Sequence, residues 1–209
     1  LYICLTKIEK LTVIQNIKTR LASKRVGIAG AGGLGSNAAA ALVRSGIGHL
    51  VVADFDMVTQ NNLNRQFYFT DQIGRTKVAA LRENLLRINP TLDIQVFTER
   101  VTSGNADNFF SGCDVVVEAF DAAGEKEWFA AWMAQHLPHI PLIMGSGIAG
   151  WGDPHLVQVQ RAGNLYVCGH QKEIDQKDVP LMAPRVTQTA MMQADLVLEI
   201  LLKDIPQPL

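Results

Sequence analysis

Short apolar runs alternating with helical segments predict an α/β, Rossmann-like chain. The expected sheet is mostly parallel, with helices on both faces and an antiparallel C-terminal elaboration. Three observations carry that expectation. Apolar strands and alanine-rich or amphipathic helices alternate from residue 25 to residue 145. A glycine-rich turn, Gly30-Ala31-Gly32-Gly33-Leu34-Gly35, joins the first strand of that series to its first helix. After Gly150 the pattern changes to an apolar–polar alternation suited to a strand with one exposed face.

Residues 7–23 set Ile, Leu and Val among Lys, Asn and Thr at helical spacing, which predicts an amphipathic leader helix. A single domain over 24–209 follows it. Residues 25–30 read as a buried strand, 36–46 as a helix and 49–53 as a second strand. The helix over 76–89 stops at Pro90, because proline cannot continue it. Strands are expected at 93–98 and 114–119, a helix at 126–136 and a strand at 140–145. Residues 155–160 alternate apolar and polar, which suits the late, antiparallel strand expected there. Residues 168–184 are polar, proline-punctuated and aperiodic, so a loop is expected there. Residues 186–202 return to helical spacing and close the chain with a long apolar face.

With 209 residues, the chain is long enough for one sizeable core and short of two comfortable domains. Its formal net charge is -1, without a run of like charge. A general nucleic-acid binder needs a basic face to displace counterions from phosphates, so no nucleic-acid partner is expected. The three cysteines, Cys4, Cys113 and Cys168, are far apart and do not describe a disulfide framework. That favours a reducing cytoplasm. No C-x-x-C pair is present, so no structural zinc is expected. The apolar runs are shorter than a bilayer-spanning helix, and no membrane association is expected. The chain begins at Leu1 rather than Met, which reads as a trimmed or incomplete N-terminus.

The glycine turn has the strand–turn–helix context of a nucleotide site. Gly30 permits the tight turn, Gly32 lets backbone approach a phosphate, and Gly35 allows close helix packing. Asp54 ends the second strand, where an acid can accept hydrogen bonds from ribose hydroxyls. Free N–H groups at the helix N-terminus favour an anion there. The bland alternative is that the glycines serve packing alone.

A polar cluster follows the second strand: Asp54-Phe55-Asp56, then Asn61-Asn62-Leu63-Asn64-Arg65-Gln66, then Gly74-Arg75-Thr76-Lys77. In an open parallel sheet these segments lie near the strand carboxyl ends, where ligands bind, and hydride transfer does not need them. Asp121 follows the apolar run Val115–Phe120 and emerges at another carboxyl end. It reads either as a Mg²⁺ ligand beside a polyphosphate or as a cap for the helix after it.

Together, the turn, Asp54-x-Asp56, Asn62-Leu63-Asn64-Arg65-Gln66, Gly74-x-x-Lys77 and Asp121 resemble the ThiF/MoeB/HesA family, enzymes that activate ubiquitin-like proteins. The resemblance covers about residues 24–202 and is nearest to the short, zinc-less ThiF-type proteins of thiamin biosynthesis. It implies ATP- and Mg²⁺-dependent adenylation of the C-terminal glycine of a small ubiquitin-like sulfur-carrier protein of the ThiS type, ending in Gly-Gly. Pyrophosphate would be released. By position, Gly30, Gly32, Gly33, Gly35, Asp54 and Asp56 would line the nucleotide, with Asp54 on the ribose. Asn62, Arg65 and Lys77 would address the phosphates, and Asp121 would organise Mg²⁺. Arg65, Lys77 and Asp121 form the implied catalytic set.

The chain departs from the family pattern at three places. It lacks the paired zinc cysteines, Asp121 is followed by Ala122 rather than Asn, and the segment around Arg20 does not match the family's trans-acting arginine motif. Arg20 stays the candidate for that role across a dimer. Cys168 reads either as an acyl-accepting thiol or as an inert strand-end cysteine, Cys113 as core, and the five histidines as structural or solvent-facing. A symmetric dimer is expected, because leader and final helices offer apolar surface. Two other classes stay open: a nicotinamide-dependent oxidoreductase, resting on the turn and Asp54, and a non-catalytic partner-binding subunit with the same fold. Related enzymes adenylate a modified tRNA base, which the near-neutral charge disfavours.

Overall fold

The computed structural model describes residues 7–170 and 179–206. Helix α1 (Lys7–Ala22) leads into β1 (Arg25–Ala29), α2 (Gly33–Ser45), β2 (His49–Ala53), α3 (Lys77–Ile88) and β3 (Asp93–Phe97). Then come α4 (Ala106–Phe110), β4 (Val115–Glu118), α5 (Ala123–His136) and β5 (Leu142–Ser146). Strands β6 (Val157–Ala162) and β7 (Leu165–His170) precede the closing helix α6 (Ala183–Leu202).

The strands form one sheet in the order β3-β2-β1-β4-β5-β7-β6. Every neighbouring pair is parallel except β6 with β7, the antiparallel elaboration expected after Gly150. The central strands are buried because both sheet faces are covered, as the unbroken run Val115-Val116-Val117 requires. One core includes Leu42, Leu81 and Val197 from α2, α3 and α6, and the other Phe110, Phe129 and Trp132 from α4 and α5. The order in which strands are added reverses between β1 and β4, since β2 and β3 build outward on one side and β5 on the other. Ligands of open α/β sheets bind outside the carboxyl ends at such a switch point.

The structure differs from the sequence expectation in places with local causes. The loop expected over 168–184 begins inside β7, an element that sequence pattern did not separate from its surroundings. Gly169, at φ 145°, and the short Leu165-Tyr166-Val167 run hide a strand fixed by pairing with β5 and β6. Residues 171–178 of that loop lie outside the described residues. Helix α6 starts earlier than expected because Pro184 is compatible with a first helical turn. Helix α2 likewise starts inside the glycine turn. Helix α4 has only 5 residues, too few for periodicity to reveal. The end of α1 docks through Leu21, while Leu11 and Ile14 stay exposed.

Candidate active site

A cavity of about 780 Å³ opens at the switch point, between the carboxyl ends of β1, β2, β4 and β5. The glycine turn forms one wall. Gly30 has φ 99°, and a Cβ there would strike the Ala119 carbonyl. A Cβ on Gly35 would strike the Gly30 carbonyl, so Gly35 serves helix–strand packing and does not line the cavity. Gly33 packs beneath Val186. Gly32 differs: the nearest atom to its Cβ position is Gln66 Nε2 at 3.8 Å. Packing therefore does not require glycine at 32, whereas close approach of a phosphate to the backbone does.

The Ala31 peptide is held at both ends. Its N–H donates to Asp54 Oδ2 at 2.6 Å, and its carbonyl accepts from the Tyr68 hydroxyl at 2.7 Å. Asp54 Oδ1 accepts the Asp56 N–H at 2.8 Å. Burial pushes the Asp54 carboxyl up, and Lys77 with the two N–H donors pulls it back. Asp54 lines the cavity, and each of its oxygens accepts only one of these N–H groups, within the two acceptor sites a carboxylate oxygen offers.

Lys77 opens α3, and its Nζ bonds Asp56 Oδ2 at 2.7 Å. The lysine side chain is 7% exposed and the aspartate 46%, so the pair has a buried cation and an open anion. Arg65 Nη1 is shared by the Asn61 carbonyl at 3.0 Å and Asn64 Oδ1 at 2.8 Å. The Arg65 carbonyl accepts from Asn37 of α2 at 2.9 Å, which ties the arginine loop to the turn. Asn62, expected on the phosphates, does not line the cavity. Its Oδ1 accepts the Thr59 N–H at 2.9 Å and caps a turn of 3₁₀ helix, and its carbonyl accepts the Arg65 N–H at 3.1 Å.

Asp121 lines the cavity, exposed, and makes no hydrogen bond or ion pair among the described residues. The residue capping α5 is Ala122, without a side-chain bond, so the capping role suggested for Asp121 falls away. Gln66 also lines the cavity. It is buried, and its Oε1 has no partner among the described residues. An orphaned buried acceptor beside an open glycine cradle is the state a polar ligand would relieve.

Several features in and around the cavity are not legible in the sequence. Glu118, the last residue of β4, is fully buried and paired with Lys126 of α5 at 2.9 Å. Burial raises its carboxyl, and Lys126 counters that. An acid ending an apolar strand, with a lysine eight positions on, was the available signal. Arg100 stacks over the Phe55 ring at 4.1 Å, and both line the cavity. His170, taken as structural or solvent-facing, is buried and lines the cavity. Cys168 sits inside β7, not in a loop, buried in the α2–α6 core with its thiol pushed up to about 12 by burial. Cys113 is equally buried against α4 and α5, its thiol also pushed up to about 12. Neither is on the cavity wall.

Among the described residues, no group of three or more His, Cys, Asp or Glu side chains could hold a metal alone. A hard cation beside Asp121 would take its remaining oxygens from phosphates and water, the usual Mg²⁺ arrangement. No described helix is long and apolar enough to cross a membrane.

Comparison with known proteins gives this site a family. The adenylyltransferase and sulfurtransferase UBA4 of Eremothecium gossypii is 32% identical over 152 residues, covering 72% of this chain and 34% of that protein. The tRNA threonylcarbamoyladenosine dehydratase of Escherichia coli is 34% identical over 140 residues, covering 66% of this chain and 52% of that protein. The chain thus spans about a third to a half of the length of these relatives. The solved E. coli tRNA N6-threonylcarbamoyladenosine dehydratase in complex with ATP matches its fold with a TM-score of 0.83 at 20% identity, over 97% of this chain and 98% of that one. The ThiF family profile matches residues 9–209, nearly the whole sequence, and the chain belongs to the ThiF family.

Proposed function

We propose that this chain uses ATP to adenylate a carboxylate. The carrying observation is one cavity that gathers the open Gly32 cradle, Arg65, Lys77 and Asp121, which has no partner among the described residues. A substrate carboxylate is ionised at neutral pH, so no base is needed to make the nucleophile. Its oxygen attacks the α-phosphorus, the bond from that phosphorus to the β-phosphate bridging oxygen breaks, and pyrophosphate leaves. The obstacle is an anion approaching a polyanion, which fixed positive charge and in-line positioning reduce.

In this reading the Gly32 backbone and the α2 N-terminus receive phosphate, and Asp54 accepts from the ribose. Arg65 supplies charge at the mouth. Lys77 leaves Asp56 to meet phosphate, and the half-exposed Asp56 is rehydrated as it does. Asn62 holds the arginine loop. Asp121 would hold Mg²⁺, which when bound neutralises phosphate charge.

The finer reading is that the carboxylate ends a small ubiquitin-like sulfur-carrier protein of the ThiS type, in thiamin biosynthesis, acted on by a cytoplasmic homodimer. The absence of C-x-x-C pairs from the sequence supports that subclass. Relatives named as ubiquitin-like modifier-activating enzyme 5 and probable molybdopterin-synthase adenylyltransferase support the broader part of it, a ubiquitin-like partner, and not the choice of carrier. Exposed Leu11 and Ile14 on α1 support a second copy. A second reading, a modified tRNA base as substrate, is favoured by the likeness to the dehydratase, and a net charge of -1 weighs against it.

The test is transfer of α-labelled AMP to one of three acceptors: a Gly-Gly-ending carrier, the same carrier amidated at its C-terminus, and tRNA. Label on the free-ended carrier alone is expected. Label on tRNA selects the second reading, and label on none removes both.

A further inference from the structure

We propose that the ion pair between buried Glu118 and Lys126, which is 20% exposed and lines the cavity, is a positioning device for Asp121. This inference rests on Asp121 being the Mg²⁺ ligand of the proposed reaction.

Glu118 is the last residue of β4 and has no solvent exposure. Its Oε1 accepts the Phe120 N–H at 2.6 Å, and Lys126 Nζ donates to Oε1 at 2.9 Å and to Oε2 at 3.1 Å. One carboxylate therefore grips both ends of the connection between β4 and α5. Asp121 lies between those two grips. Its backbone is fixed on one side by the Phe120 amide and on the other by the first turn of α5. The backbone of Glu118 is held as well, since its carbonyl accepts from Gln193 Nε2 of α6 at 3.1 Å. On the other side of Ala119, whose N–H bonds the Ala29 carbonyl at 2.8 Å, the Phe120 ring packs edge-on against Phe129. Asp121 itself is exposed and unpartnered among the described residues, so its aim comes from its neighbours.

The pair is a poor choice on stability grounds alone. Ion pairs taken out of water are often matched or bettered by apolar residues of similar volume. Lys126 also stands in the first turn of α5, the end at which the helix dipole disfavours a cation. A local rule broken at a cavity wall is the mark of a functional constraint. Here the constraint is a short loop that must present a carboxylate to a ligand without using that carboxylate to hold itself.

The experiment compares ATP affinity with excess Mg²⁺ and with EDTA, by calorimetry on the full chain, for wild type, Asp121→Asn, Lys126→Met and Lys126→Arg. The expected result is that Mg²⁺ strengthens ATP binding to wild type and Lys126→Arg. Asp121→Asn and Lys126→Met should both lose most of that gain, by roughly tenfold, while their EDTA affinities stay near wild type. Equal weakening of Lys126→Met with and without Mg²⁺ would make the lysine a direct phosphate contact and overturn the proposal. A Lys126→Met response identical to wild type would also overturn it, provided Asp121→Asn loses the Mg²⁺ gain. If Asp121→Asn itself keeps that gain, the assignment of Asp121 fails first. Should Lys126→Met not fold, Glu118→Gln carries the same test, because it keeps a carbonyl for the Phe120 N–H and removes the charge that holds Lys126. The same loss of Mg²⁺ gain is expected there, and a wild-type response overturns the proposal.

Discussion

Asp54 accepts the Ala31 N–H at 2.6 Å, so the acid at the end of β2 holds the glycine turn beside it on the cavity wall. A residue expected only on the ribose is thereby also a brace for the phosphate cradle. Asp54→Ala leaves two backbone donors, Ala31 and Asp56, without their acceptor. The expected cost is about 1–3 kcal/mol of stability, a shift of several degrees in Tm. ATP affinity should fall together with Tm. Thermal denaturation and calorimetry on the same preparation check both, and an unchanged Tm removes the brace.

Gly32 and Gly35 separate binding from packing. Gly35→Ala drives a methyl into the Gly30 carbonyl and should destabilise strongly, by about 3 kcal/mol or more. Gly32→Ala meets nothing closer than 3.8 Å and should leave Tm within a degree or two. Its ATP affinity should nonetheless fall by roughly tenfold or more, because the methyl occupies the phosphate approach. Equal loss of stability in both variants would contradict the distinction.

The buried thiols predict a pH response. The folded state holds Cys113 and Cys168 protonated up to about 12, while in the unfolded chain they ionise near the usual 9.0. Between those values the unfolded state binds fewer protons, so stability falls as pH rises through that window. In a Cys4→Ser background, a thiol reagent at pH 8 should label neither cysteine in the folded protein and both after denaturation. Fast native labelling of Cys168 would reopen its reading as an acyl acceptor.

Lys77 tests the buried cation. Its partner Asp56 is 46% exposed and can be rehydrated, so Lys77→Ala should cost only about 1–2 kcal/mol of stability. Adenylation should drop by roughly a hundredfold or more, since a fixed charge at the phosphates is lost. Activity that survives within threefold of wild type would assign Lys77 to structure alone.

Much of this site was legible because its residues obey local rules. A glycine turn between a strand and a helix, and acids at strand ends, announce the switch-point crevice before any packing is known. What escaped depends on contacts between distant segments. Glu118 lies inside an apolar strand pattern and gains its role only when α5 folds back to place Lys126 on it. Tyr68 carries no signal in the sequence, because its role is set by the hydroxyl meeting Ala31, 37 residues away. Asn62 was placed on the phosphates by its motif, and only the turn geometry reveals the cap it makes. Strand β7 ends in glycine and histidine, and sheet pairing supplies what propensity does not.

The central claim is that the cavity activates a carboxylate with ATP. Exchange of labelled pyrophosphate into ATP measures that step directly. The account predicts exchange that requires Mg²⁺ and a Gly-Gly-ending carrier with a free C-terminus, and that falls by roughly a hundredfold or more in Asp121→Ala with the fold intact. Absence of exchange with every carboxylate acceptor, together with NADH rather than ATP binding in the cavity, would contradict it.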